Sequence, residues 1–154
     1  MSSKEHALEL LEAGKRKKGL EELRETLGVC RLRDDCTRFE LLDVLLSLAY
    51  ELRMDRKNGM PYFGKEKAEA DRLLAEAKAI LEASDERPDG ELWLRWHGVA
   101  RRHALMDSQP FEAVEYSHQL IQRIEALPDG DQAVLDSLRE LHHRDATHQT
   151  GYHR

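Results

Sequence analysis

Apolar residues return every third or fourth position through nearly the whole chain, and the runs are separated only by short breaks rich in Gly, Pro and Asp. That spacing matches the 3.6-residue turn of an α-helix, so each run predicts one amphipathic helix with a single apolar stripe. Composition agrees: 9 Gly and 4 Pro in 154 residues, with 35% charged and 40% hydrophobic residues, fit neither a turn-rich all-β sandwich nor a low-complexity disordered chain. A domain of this length can bury roughly 70% of the surface its unfolded chain exposes, enough for a core without disulfide or metal staples.

The stripes define seven helices. Ser3 caps a first helix over residues 3–14 with Ala7, Leu10, Leu11 and Gly14 on one side. A basic turn at 15–19 leads to a short second helix bearing Leu20, Leu23 and Leu27, with Gly28 near its end. Residues 35–55 carry apolar side chains around most of the cylinder, which predicts a central helix; Glu40, Asp43, Ser47 and Glu51 form its narrow polar ridge. Residues 56–64 are the longest loop, with the turn dipeptide Asn58-Gly59 followed by Tyr62-Phe63, expected to pack over the next helix start or to form an exposed recognition loop. Helices over 65–84, 91–106, 110–127 and 131–143 complete the chain. Residues 1–143 thus read as one all-α domain, and 144–154 as a polar, His-bearing tail that is disordered or loosely docked.

Charge narrows the partners. The formal net charge of −6 argues against general binding to duplex nucleic acid, which depends on Lys and Arg neutralising phosphates. The distribution is uneven, since residues 1–33 hold 8 Lys and Arg against 6 Asp and Glu, while the rest holds 16 against 24. Lys15-Arg16-Lys17-Lys18, together with Arg95, Arg101 and Arg102, supports an alternative nucleic-acid-associated subunit. Apolar runs never exceed a few residues, so neither a membrane span nor a signal segment is expected, and the chain reads as cytoplasmic. In that compartment Cys30 and Cys36 are expected as free thiols.

The six helices before the last group as three hairpins. Pro88-Asp89-Gly90 and Pro128-Asp129-Gly130 recur 40 residues apart, each directly before a helix. The segment from Glu112-Ala113-Val114-Glu115-Tyr116-Ser117 to Leu127-Pro128 resembles the second helix of a tetratricopeptide repeat with its terminal proline; Leu94 and His97-Gly98 stand where that family has its Leu-Gly pair. Ala70, Leu74 and Ala77 repeat the small–large–small pattern. The resemblance implies an α-solenoid-like stack of three helix hairpins plus a C-terminal capping helix, with a groove of first helices that holds a protein or peptide. A compact helical bundle is the alternative. Under the resemblance the ridge residues Glu40, Asp43, Ser47 and Glu51, with Arg95, Arg101 and Arg102, face the groove, and Tyr62 and Phe63 add a second contact surface.

Two Glu-x-x-His elements, Glu115–His118 and Glu140–His143, have the i, i+3 spacing that holds iron or manganese in di-metal bundles, an alternative metal-binding reading. Their helical positions place them on polar sides rather than facing a bundle interior, so no metal is assigned. His142, His143, His148 and His153 at the C-terminal end would chelate only adventitiously. No phosphate-binding Gly loop, zinc-protease His-Glu-x-x-His run or nucleophile elbow occurs. The expectation is a non-enzymatic adaptor without cofactors.

Overall fold

The computed structural model describes residues 3–151, with side chains as far as His148. Seven helices follow in order: α1 (Lys4–Glu12), α2 (Arg16–Leu32), α3 (Arg38–Arg53), α4 (Lys65–Glu82), α5 (Glu91–Met106), α6 (Pro110–Glu125) and α7 (Gln132–Gly151). The all-α class holds, with no strand among the described residues beyond one isolated bridge between Met54 and Pro61. None of the helices is long and apolar enough to cross a membrane. Where one domain was expected, the chain divides into two units, Met1–Ala83 with α1–α4 and Ser84–Arg154 with α5–α7.

In the first unit α3 is the centre. Leu42, Val44, Leu45, Leu46, Leu48, Ala49 and Leu52 are all buried, which is what apolar residues around most of a cylinder require. It packs against both α2 and α4, and α1 packs on α2. Arg24 of α2 forms a bidentate pair with Glu69 of α4 (2.9 and 2.8 Å), and Arg31 pairs with Glu76 two helical turns further along. The α1–α2 crossing is close because Gly19 replaces a side chain there: a Cβ at this position would lie 2.6 Å from Leu11 Cγ.

The basic segment 15–19 proves to be the start of α2 instead of a turn. Gly14, at φ +80°, ends α1, so the connection needs only residues 13–15. Arg16 then turns inward and donates to the carbonyl oxygens of Glu51 (2.8 Å), Leu52 (2.8 Å) and Met54 (3.0 Å), at the end of α3 where carbonyls run out of intrahelical N–H donors. Its guanidinium also lies 3.9 Å from the Tyr62 ring centroid. Arg53 is fully buried, and its Nε donates to the Tyr62 carbonyl at 2.7 Å, fastening the long loop to α3.

In the second unit α5 packs on α6 and α6 on α7. Ala113 and Ser117 of α6 are fully buried, and small residues here let α5 come near. Trp93 and Trp96 are buried, and Trp96 meets Tyr116 edge-on with centroids 5.4 Å apart. The two Pro-Asp-Gly turns touch: Arg87 bonds both Asp89 (2.9 Å) and Asp129 (3.1 Å), and Asp89 accepts the backbone N–H of Asp131 at 2.8 Å. The segment from residue 144, expected as a tail, continues α7 as far as Gly151. Asp145 explains this, because its carboxylate is 8% exposed and takes a bidentate contact from Arg101 of α5 (2.7 and 2.8 Å). Of the histidines assigned to that tail, His153 lies outside the described residues.

Candidate functional site

A cleft of about 380 Å³ opens in the first unit between the start of α1, the last turns of α2 and the start of α3. Helix ends build it. Ser3 caps α1 by accepting from the His6 N–H (3.1 Å), and Thr37 caps α3 by accepting from the Glu40 N–H (3.0 Å), so both first turns are fixed in place. Between α2 and α3, Arg33 donates back to the Val29 carbonyl (3.1 Å) and its guanidinium grips Asp35 (2.8 and 3.0 Å).

Two large apolar side chains stand open at this cleft, Val29 at 45% and Phe39 at 49% exposed. Leu32, on the same end of α2, is 87% exposed. The charged side chains of the lining are Lys4 and Arg33 against Glu5, Glu40 and Asp43, a balance of two positive to three negative. Lys4 and Asp43 pair at 2.6 Å across the cleft. Arg33 and Asp35 reinforce each other: the guanidinium holds the carboxyl below its usual range and is itself held more firmly protonated.

Cys30 and Cys36 also line the cleft, and they form a disulfide with Cα atoms 5.4 Å apart, where free thiols were expected. The spacing alone could not reveal this. Cys30 sits in the last helical turn of α2 and Cys36 just before the Thr37 cap, so the reversal of the chain brings the two together.

The residues expected to contact a partner are thus divided among different places. Glu40 and Asp43 reach the cleft. Ser47 is half-buried on α3, and Glu51 is a correction to the ridge, because it is buried and receives a bidentate contact from Arg56 (2.9 and 2.8 Å). Tyr62 lines a separate cavity of about 620 Å³ beneath Arg16, whereas Phe63 remains largely exposed, 5.4 Å from the Arg53 guanidinium. Arg95 and Arg102 are half-buried on α5. Arg101 is committed to Asp145 inside its own unit, and Arg16 is withdrawn from the basic cluster by its carbonyl contacts. The four metal candidates point elsewhere. Glu115 accepts from Gln119 (3.1 Å), Glu140 pairs with Arg144 (3.6 Å), His143 meets Thr147 (3.5 Å), and the His118 ring stacks obliquely near that of His142. Their donor atoms do not come together as a group of three.

One buried polar contact in the second unit has a definite protonation state. His97 is buried on the α5–α6 interface, where its Nε2 lies 2.8 Å from Ser117 Oγ, and the hydroxyl donates to the Ala113 carbonyl (3.4 Å). Burial, with a smaller push from Arg101, lowers its pKa from 6.5 to about 4 against an opposing pull from Asp145, so the imidazole is neutral at pH 7. It has the features of a satisfied core group. The chain matches no protein-family model, no curated protein and no solved structure.

Proposed function

We propose that this protein is a non-enzymatic helical module that binds a segment of another protein, and that the α1–α3 cleft is where it does so. The observation carrying this reading is the exposure of Val29 and Phe39 on a concave surface whose framework is fixed by two capped helix starts. Apolar surface left in water is unfavourable by roughly 25 cal/mol per Å², so a partner side chain covering both would gain from burial. The excess of carboxylates in the lining selects a segment with an apolar anchor beside Lys or Arg. The series of hairpins resembling tetratricopeptide repeats agrees with such a role.

The test is selection of short peptides from a display library, followed by chemical-shift mapping of the chosen peptide on the labelled protein. Selected peptides should pair an apolar anchor with a basic flank, and should move the Val29, Phe39, Glu40 and Asp43 resonances. Phe39→Glu should weaken binding at least tenfold with an unchanged melting temperature. Binding that ignores Phe39→Glu, or a library that yields no peptide, would refute the proposal.

A further inference from the structure

Beyond peptide binding, though in the same cleft, we infer that Cys30, Cys36 and Glu40 form a redox-gated site for a thiophilic divalent cation of the zinc and cadmium class. The two Sγ atoms and a Glu40 carboxylate oxygen all lie within 4.8 Å of one another, the one such group of His, Cys, Asp and Glu donors among the described residues. The disulfide accounts for the two sulfurs, and Glu40 adds a carboxylate oxygen beside them. Once the disulfide is reduced, a tetrahedral cation takes all three as ligands, with metal–sulfur bonds of about 2.3 Å placing the two thiolates about 3.8 Å apart and a carboxylate oxygen at a similar distance from each.

The backbone is arranged for this without rebuilding. Cys30 comes from the final turn of α2, Cys36 from the residue before the α3 cap, and Glu40 from the first turn of α3, where its N–H is held by Thr37. With Cα atoms 5.4 Å apart, the two cysteines need only side-chain rotation to move from a bonded pair to two ligands of one ion. All three residues line the cleft, which leaves room for water or a small ligand to complete a four-ligand shell. Two thiolates and one carboxylate carry −3 against the cation's +2, which leaves one negative charge at the open cleft, since Lys4 and Arg33 are engaged by Asp43 and Asp35.

Gating follows from the chemistry. A dithiol reductant attacks one sulfur, the S–S bond breaks, and two electrons and two protons convert the disulfide to two thiols while the reductant becomes a cyclic disulfide. The cation then displaces one proton from each thiol, giving two metal–sulfur bonds and releasing two protons to solvent. Both cysteines are half-buried at an open cleft, so a small dithiol can reach them.

The experiment uses the full chain, reduced by a dithiol, desalted without oxygen and titrated with Cd²⁺. The thiolate-to-metal charge-transfer absorption is read, a signal that histidine-bound cadmium does not produce. One equivalent should saturate the reduced chain, while the oxidised chain and Cys30→Ser should give no two-thiolate band. Glu40→Gln should bind at least tenfold more weakly with unchanged helical circular dichroism. The proposal is overturned by absence of the band in the reduced chain, by an equal band in Cys36→Ser, or by a Glu40→Gln titration identical to the parent. Loss of helical signal on reduction alone also overturns it, because the donors would then no longer be held together; the oxidised parent serves as the folded reference throughout.

Discussion

Acidification from pH 7 to pH 5 should destabilise the second unit through His97. In the unfolded chain the imidazole has an ordinary pKa near 6.5, and in the folded unit burial lowers it to about 4. Between those values the unfolded state holds a proton that the folded state lacks. Stability therefore falls as pH drops through this window and reaches its full loss below about pH 4. The 2.5-unit separation corresponds to about 3 kcal/mol in full, and the same two constants give a loss of about 2 kcal/mol at pH 5. That exceeds what one neutral hydrogen bond contributes, about 1 kcal/mol, so the pH effect should outweigh any cost of replacing the His97–Ser117 contact.

The control is His97→Gln, which keeps a polar group near Ser117 but cannot gain the proton. Both tryptophans of the chain, Trp93 and Trp96, lie on α5, so urea unfolding followed by tryptophan fluorescence reports on this unit. The parent should lose about 2 kcal/mol more than His97→Gln between pH 7 and pH 5. The other histidines are common to both proteins and cancel in the difference. In a nuclear magnetic resonance titration the His97 ring should stay neutral down to pH 5. A ring that titrates near 6.5, or a variant with the parent's pH slope, would show that the folded unit accommodates the charged form and that burial is not controlling it.

Two further substitutions test the packing. Gly19→Ala should destabilise the first unit by about 1–3 kcal/mol in chemical denaturation, because its Cβ would meet Leu11 Cγ at 2.6 Å and the Ala7 carbonyl at 3.1 Å; equal or greater stability would mean that Leu11 moves aside and helix propensity wins. Asp145→Asn should cost about 2 kcal/mol and speed amide exchange over the last two turns of α7, since a bidentate, mostly buried contact to Arg101 is weakened; unchanged exchange would refute its role in extending that helix.

Helix number and the central place of α3 were legible because they depend on apolar spacing, a local property. Leu42, Leu45, Leu48, Ala49 and Leu52 can be assigned inward from their intervals alone. What escaped were polar groups whose position depends on a partner distant in the chain. Arg16 looked like part of a solvated basic turn, yet three carbonyls at the end of α3, 35 to 38 residues away, draw it inward. Arg53 and Asp145 belong to the same class: a charge on a helix reads as surface until the group that satisfies it is known.

The same reasoning explains why the cleft was only half visible. Glu40 and Asp43 were found because a polar ridge interrupts an otherwise apolar helix, but Glu51 on that ridge is consumed by Arg56 and belongs to the structure's interior. The ridge as a continuous accessible strip therefore ends before α3 does. The disulfide was hidden for a different reason: its cysteines stand six positions apart, and only the reversal between α2 and α3 determines whether that distance is an extended span or a contact. The intervals that predict helices carry no information about such a reversal. A surface assembled from helix ends is consequently harder to read from sequence than one on a helix face, and the cleft at Val29, Cys30, Phe39 and Glu40 is of the first kind.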